Sequence, residues 1–163
     1  MKQRLNAFGT VAAVLAALVL SVPATAGENV PFKARSGGVI TNLGFDPVQN
    51  IVHLHQAGKG QATHLGSFTV DGNVEIDVTT GTTKATLVLT AANGDMLLLR
   101  GDDGHGTGPT TAAGTLAIVG GTGRFQGATG LLQFIITFAI APPTLDPNPY
   151  TDVFEGTISL KQP

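Results

Sequence analysis

The sequence predicts an all-β protein built as a single antiparallel β-barrel, with a β-sandwich as the structural alternative. Turn-forming residues recur about every ten residues after position 26, as is typical of barrels and sandwiches. No segment beyond that point keeps a 3.6-residue hydrophobic period, so no helix is expected. The 163-residue chain also contains 22 glycines and few aromatic residues, a composition that favours strands joined by many turns.

Residues 1–26 are expected to form a signal peptide that is removed during export. Lys2 and Arg4 supply a positive start, and a mostly apolar, uncharged stretch runs from Phe8 to Leu20. Small residues at Ala24 and Ala26 form an A-x-A cleavage pattern. The apolar stretch is shorter than the ~20 residues that a membrane-spanning helix needs. We therefore expect cleavage after residue 26 and a secreted or periplasmic location.

The mature chain, residues 27–163, is expected to be one domain that does not bind nucleic acid or a membrane. It is long enough to bury its own core. Seven Lys and Arg residues against eleven Asp and Glu residues leave a net charge near −4. The sequence has neither a basic patch for nucleic acid nor a basic run for an anionic membrane. Because the chain contains no cysteine, disulfides and thiol chemistry are excluded.

Five strands are expected in the first half of the mature chain. The glycine pair Gly37-Gly38 predicts a bulge or a sharp bend in the first of them. Asp71-Gly72 predicts a hairpin turn between the third and the fourth. The expected strands cover residues 32–43, 48–56, 62–70, 74–79 and 83–91.

The second half is expected to add four strands, about nine in all. Asn93-Gly94 predicts a type I′ hairpin turn. Residues 101–111 (GDDGHGTGPTT) are predicted to be a surface loop because of their four glycines and one proline. The proline-rich residues 142–149 form a second predicted loop. The expected strands cover residues 96–100, 114–119, 131–141 and 153–160.

The glycine-rich run Gly120–Gly130 (GGTGRFQGATG) is the most informative local feature. It lies between two apolar strands, and glycine permits the positive φ and the close backbone contacts of a tight turn. The run lacks the GK[ST] ending of a phosphate-binding loop, and no helix is expected after it. The run therefore predicts a structural turn.

Large side chains alternate along the strand that follows this run. Phe134, Ile136, Phe138 and Ile140 share one face, which we expect to point into the barrel because that face needs volume. The opposite face is then free to meet a second subunit or the proline-rich loop. Aromatic walls dominate apolar pockets, so Phe134, Ile136 and Phe138 are predicted to contact an apolar ligand.

Histidine and arginine supply the remaining candidate ligand contacts. His53 and His55 share one face of a strand, and with His64 they resemble the start of a metal site. Such spacing is common by chance and no carboxylate is adjacent in sequence, so no metal is expected. Arg100 ends an apolar strand and is placed to meet a polar ligand group at a barrel mouth, or to pair with a surface aspartate.

The acidic residues give no catalytic or metal motif. Asp102, Asp103 and His105 do not match a calcium loop, because the acids are adjacent and no later glutamate closes the site. Glu75 and Asp77 lie opposite an apolar face on an alternating strand, which indicates the solvent side. No catalytic residue is therefore predicted from the sequence.

Three segments occur in the order found in a known family: Ala62–Thr69 (ATHLGSFT), Thr90–Asp95 (TAANGD) and Gly120–Gly130. Together they resemble small bacterial exported proteins with the allene oxide cyclase-like barrel. The last segment is also similar to the GGTG-x-F motif of plant dirigent proteins, which share that barrel. The resemblance, from about residue 32 to 160, implies an eight-stranded antiparallel barrel with an apolar cavity, Phe125 plugging one end, and trimers.

Two functions remain open at this point. The first is an exported, non-catalytic barrel that binds a small apolar molecule. The alternative, implied by the resemblance, is a cyclase or isomerase of the allene oxide cyclase or dirigent type, with no cofactor. A buried Asp, Glu or Arg on an apolar cavity wall would favour the enzyme, whereas a cavity filled by Phe, Leu and Ile would favour a structural protein.

Overall fold

Eight antiparallel strands close into one barrel in the computed structural model, which describes residues 27, 29–142 and 146–161. Each strand pairs with its neighbours in sequence, and the last pairs with the first. The predicted barrel is confirmed over the sandwich. The expected signal peptide, residues 1–26, lies outside the described residues. The strands are β1 (Asn29–Asp46), β2 (Ile51–Ala62), β3 (Gly66–Asp77), β4 (Thr82–Ala91), β5 (Met96–Gly108), β6 (Thr111–Gly121), β7 (Thr129–Phe138) and β8 (Asn148–Ser159).

The prediction of a turn at Asp71-Gly72 was wrong, which is why eight strands form rather than nine. Both residues lie inside the continuous strand β3. A Cβ atom at Gly72 would lie 2.7 Å from the Leu87 side chain on β4, so glycine here permits close approach of two strands. The connection between β2 and β3 lies earlier in the chain, where His64 takes a φ of 67°.

The predicted loop 101–111 was also wrong, because β5 continues through Gly108. Its pairing with β6 shifts register between Arg100 and His105, so the glycines accommodate an irregular strand. Asp103 stabilises this segment by accepting hydrogen bonds from the Thr115 backbone N–H at 2.8 Å and from its hydroxyl at 2.6 Å. These bonds lower the pKa of Asp103.

Two further local predictions are partly corrected. The pair Gly37-Gly38 keeps a regular register with β2, and β1 instead becomes irregular between Asn42 and Gly44. A turn does form at Asn93-Gly94, where the Gly94 N–H donates to the Ala91 carbonyl at 2.9 Å. Gly94 has a φ of 88° and Asn93 is not in the left-handed region, so this is a longer turn than the predicted type I′.

One end of the barrel is closed by the glycine-rich run, as the sequence predicts. The run forms a short 3₁₀ helix, Gly123–Phe125, between β6 and β7. Phe125 is fully buried under this end, together with Leu65 and Ala128. The Arg124 guanidinium lies 4.9 Å from the centre of the Phe125 ring and donates to the Leu65 carbonyl at 3.3 Å. Arg124 therefore connects the Phe125 ring to the β2–β3 turn that contains Leu65.

Side chains fill the barrel near this closed end, and the outside carries scattered apolar residues. The filled half includes the fully buried Phe32, Leu97 and Ile158. On the outer wall, Leu131 and Ile135 of β7 are 56% and 57% exposed, which leaves open the subunit contact expected for this face. No helix among the described residues is long and apolar enough to cross a membrane.

We predict that Phe125→Ala and Gly123→Val both destabilise the barrel. Loss of a fully buried phenylalanine costs about 3–5 kcal/mol. Gly123 has a φ of 56°, and a Cβ atom there would collide with the Asp95 carboxylate, so valine would be strained. Urea unfolding measures both effects. Gly106→Ala is the control, because a Cβ atom there meets nothing within 4 Å; equal stability of all three variants would contradict a structural role for the plug.

Candidate functional site

The other half of the barrel encloses a cavity of about 500 Å³ that opens at the end opposite Phe125. The β1–β2, β3–β4, β5–β6 and β7–β8 connections surround its mouth. Its wall is mostly apolar because the inward positions of the strands carry aliphatic and aromatic residues. These include Ile40, Leu54, Ile76, Leu87, Phe134 and Phe138.

The three residues predicted on β7 lie on this wall. Phe134, Ile136 and Phe138 all line the cavity, because every second residue of a strand faces the same side. Ile140, expected on the same face, follows the end of β7 and is 44% exposed at the mouth. The predicted orientation of the large side chains is therefore correct, while their contact with a ligand stays a prediction.

The three polar candidates lie outside the cavity. His53 and His55 point outward from β2, where His53 Nδ1 lies 3.6 Å from the Glu75 carboxylate and His55 Nε2 lies 3.1 Å from that of Asp71. Arg100 is exposed on the outer wall, in a shallow depression that it shares with Glu75. These side chains cannot contact a ligand held inside the barrel.

The other candidate residues from the sequence do not form a metal site. His64 lies in the β2–β3 turn, with Nε2 3.0 Å from the Pro31 carbonyl oxygen, and does not join His53 and His55. Asp102 is exposed on the outer wall, whereas His105 is exposed on β5 where that strand borders the cavity. Within the described parts of the chain, no three His, Asp or Glu side chains are grouped as a metal site requires.

A buried aspartate, Asp152 on β8, is the principal polar group of the cavity. It is 3% exposed and lies among the lining residues. Its Oδ1 accepts a hydrogen bond from the Ser36 backbone N–H at 3.1 Å and a second one from the Ser36 hydroxyl. Its Oδ2 accepts from Gln56 Nε2 at 3.0 Å. Three strands, β1, β2 and β8, therefore fix this carboxyl group.

The surroundings of Asp152 favour its neutral form. Burial in the barrel raises its pKa from 3.8 to about 6, although the hydrogen bonds from Ser36 and Gln56 act in the opposite direction. Desolvation penalises a charged carboxylate more than these neutral donors stabilise it. The cavity thus contains one carboxyl group that changes protonation state in mildly acidic solution.

Tyr150 and two glycines shape the wall next to this carboxyl group. Gly38 pairs with both Tyr150 and Gly58, and a Cβ atom at Gly58 would lie 2.6 Å from the Tyr150 hydroxyl. Glycine at position 58 therefore leaves room for the hydroxyl of Tyr150, a residue that is 3% exposed. Burial raises the pKa of Tyr150 to about 12, so its hydroxyl stays protonated.

Asn148 connects the cavity wall to the mouth. Its Nδ2 donates to the Ile140 carbonyl at 2.7 Å, across the β7–β8 connection. Its buried Oδ1 has no hydrogen-bond donor within the described residues. An unpaired buried acceptor is costly, so this position is one of the few unsatisfied points of the cavity wall.

Solved structures with the same architecture are known. A pterocarpan synthase dirigent protein, GePTS1, superposes with a TM-score of 0.62 at 11% identity, over 91% of this chain and 98% of its own. A second one, PsPTS1, gives a TM-score of 0.55 at 14% identity, over 87% of this chain and 100% of its own. The fold is similar to that of the dirigent proteins. No family model and no curated protein sequence matches the chain.

Sequence patterns indicate the polar part of this cavity only weakly. Asp152 follows the proline-rich segment and directly precedes Val153, the expected start of the last strand. Strand alternation from Phe154 and Tyr150 places Asp152 on the same inward face. If the expected strand had begun before Tyr150, the alternation would have shown an aspartate among inward-facing aromatic residues.

We predict that Asp152 makes the dirigent-like barrel less stable as the pH rises from about 4 to about 6. In this window the folded protein retains a proton that the unfolded chain has released, so increasing pH favours unfolding. The free energy of unfolding should fall by on the order of 2–3 kcal/mol relative to Asp152→Asn. Asp46, Asp77 and Asp103 have lowered pKa values and contribute in the opposite direction, so only the difference from the variant isolates Asp152.

Urea unfolding of the wild type and of Asp152→Asn across this pH range measures the difference. Asp102→Asn is the control because Asp102 is exposed on the outer wall. A constant difference between the wild type and Asp152→Asn at all pH values would contradict the raised pKa.

Proposed function

We propose that this protein binds a small, mostly apolar molecule inside the barrel. The supporting observation is the cavity of about 500 Å³ in one half of the barrel, while side chains fill the other half. An eight-stranded barrel is narrow enough for side chains to fill completely. The volume lies within the ~300–1,000 Å³ typical of ligand pockets. A packed core would recover the dispersion contacts that these walls lack.

The lining indicates which chemical features the ligand has. Aliphatic and aromatic walls favour a hydrophobic body, with Phe134 and Phe138 as the aromatic contacts. Asp152 favours one polar group on that body: the ionised carboxylate accepts a hydrogen bond, and the protonated acid donates one. An anionic ligand is disfavoured, because no Lys or Arg side chain lies among the residues that line the cavity.

We predict that Phe138→Asp weakens the binding of Nile red, an uncharged apolar dye, about tenfold or more, since a charge is introduced into an apolar wall. Fluorescence titration measures the dissociation constant. Ile135→Asp is the matched control: it adds the same charge to the same strand, but Ile135 is 57% exposed on the outer wall. Circular dichroism establishes that both variants are folded. Equal dye affinity in both variants would place binding outside the cavity.

We propose acid–base catalysis, in a cofactor-free isomerase or cyclase, as the second candidate function. The observation that favours it is Asp152, a buried carboxyl group on a mostly apolar cavity wall that is held by donors from two other strands. A general acid or base acts most effectively when its pKa lies near the working pH, and the pKa of Asp152 is about 6. Ser36 and Gln56 would act as positioning residues for its two oxygens.

This second function is tested without knowledge of the natural substrate. A small cyclic ketone such as camphor, incubated in deuterium oxide, exchanges the hydrogens next to its carbonyl when a bound acid or base promotes enolisation. We predict measurable exchange with the wild type, and a loss of about 10²-fold or more in Asp152→Asn. Mass spectrometry of the recovered ketone gives the rate. Equal exchange rates in both proteins, with Nile red binding unchanged, would contradict catalysis by Asp152. They would be consistent with a protein that only binds its ligand.

A further inference from the structure

We infer that the open end of the barrel docks on the surface of an uncharged lipid bilayer and takes up its ligand there. Uptake of a ligand from the bilayer rests on the proposed function, the binding of an apolar molecule. Docking on the bilayer does not depend on that function and is tested separately. The surface concerned is the apolar rim, defined as the exposed large apolar residues at the end of β1 and in the connections around the mouth. Its members, 44% to 89% exposed, are Leu43, Phe45, Val48, Val78 and Ile140.

The apolar rim continues the wall of the cavity to the outside. Val78 lines the cavity and is also 51% exposed. Phe45 pairs with Val52, a lining residue, and directly paired residues lie on the same face of a sheet. Val48 lies in the β1–β2 turn and is 89% exposed. An apolar molecule leaving a bilayer would therefore meet mostly apolar side chains on its path into the barrel.

Hydrogen bonds hold the connections that carry these side chains. The Val78 N–H donates to the Asn50 carbonyl at 3.0 Å, which ties the β3–β4 connection to the β1–β2 turn. The Asn42 N–H donates to Asp146 Oδ1 at 2.9 Å, which ties β1 to the β7–β8 connection. The apolar side chains are thus presented on braced turns, and docking does not require these turns to be ordered first.

Charge complementarity identifies the surface that the rim fits. No Lys or Arg occurs in the described residues of these four connections, so the rim offers nothing to an anionic headgroup layer. Its charges are negative: the carboxylates of Asp46 and Asp77 accept backbone N–H bonds within their own turns, at 2.8 Å from Val48 and Thr79 respectively. Aliphatic side chains beside fixed negative charges complement a zwitterionic bilayer and are repelled by an anionic one.

The composition of the rim favours a bilayer over a protein partner. Protein interfaces are enriched in aromatic residues, Met and Arg, and Phe45 is the one rim member of these types. The four aliphatic members, isolated on the end of β1 and on separate connections, suit shallow insertion into an interfacial layer. The rim contains neither a basic run nor a continuous apolar segment, the two patterns by which a sequence indicates a membrane partner.

The test is sedimentation with phosphatidylcholine vesicles of the wild type, Val48→Asp and Leu131→Asp. All three proteins are produced and processed in the same way. Residues 1–26 are therefore in the same state in each of them. We expect the wild type to bind, and Val48→Asp to lower the partition coefficient about tenfold or more, because a buried apolar contact is replaced by a charge. Leu131→Asp is the matched control, since Leu131 is 56% exposed on the outer wall, away from the mouth.

A second measurement tests uptake separately from binding. Nile red is transferred from phosphatidylcholine vesicles to the protein, and we expect Val48→Asp to slow this transfer about tenfold while its dissociation constant for free dye stays unchanged. If the wild type does not bind free Nile red, the proposed function is refuted. The sedimentation experiment then tests docking by itself.

Three results would overturn the inference. The first is equal vesicle binding by the wild type and Val48→Asp. The second is binding that requires phosphatidylglycerol, which would indicate attraction through another, basic surface. The third is a concentration-dependent dimer, seen by analytical ultracentrifugation, that Val48→Asp abolishes while the wild type fails to bind vesicles. In that case the rim would be a contact between two copies of this chain.

Discussion

The structure depends on the closure of the barrel at one end by Phe125. An eight-stranded barrel has two open ends, and its interior remains dry only where side chains cap it. Here the glycine-rich run connects β6 to β7 and places the phenylalanine ring in the same core cluster as the fully buried residues Leu97 and Ile158. Arg124 covers the ring from outside and joins the Asp95 carboxylate at 3.6 Å. This asymmetry makes one half a core and leaves the other half available as a site.

The open half is built from the same strands but contains smaller or polar residues at its centre. Ser36, Gln56 and Asp152 form a hydrogen-bonded group across β1, β2 and β8, within a mostly apolar interior. Removing one partner from such a group leaves the others unsatisfied, so each member depends on the other two. Because the pKa of Asp152 is raised to about 6, this carboxyl group can donate or accept a hydrogen bond in mildly acidic solution.

The distribution of apolar side chains links this cavity to its surroundings. On the outer wall they are separated by polar residues along each strand, as on most protein surfaces. Around the mouth they come from the end of β1 and from three connections, and they continue into the lining at Val78. Binding of an apolar molecule, chemistry at Asp152 and docking at the mouth are therefore three uses of one asymmetric barrel, and each depends on a different set of side chains.

The sequence alone determined the fold class and the orientation of the best-patterned strands. Alternation along β3 and β7 placed Val74 and Phe134 inside because a period of two is local and unambiguous. The glycine-rich run likewise predicted its turn, since only glycine permits that backbone. The dipeptide Asp71-Gly72 failed as a turn signal because pairing with β4 requires a small residue at position 72, and only tertiary contacts reveal that requirement.

Only the tertiary structure decided where the polar chemistry and the apolar rim lie. Asp152, Ser36 and Gln56 are far apart in sequence and meet because the first and last strands pair to close the barrel. His53 and Arg100 are candidate ligand contacts by sequence, but strand alternation and register place them on the outer wall. Val48 and Ile140 are unremarkable in sequence and become neighbours of one opening through closure. Residue spacing encodes which side of a strand a residue faces, whereas the joining of distant strands depends on packing of the whole chain.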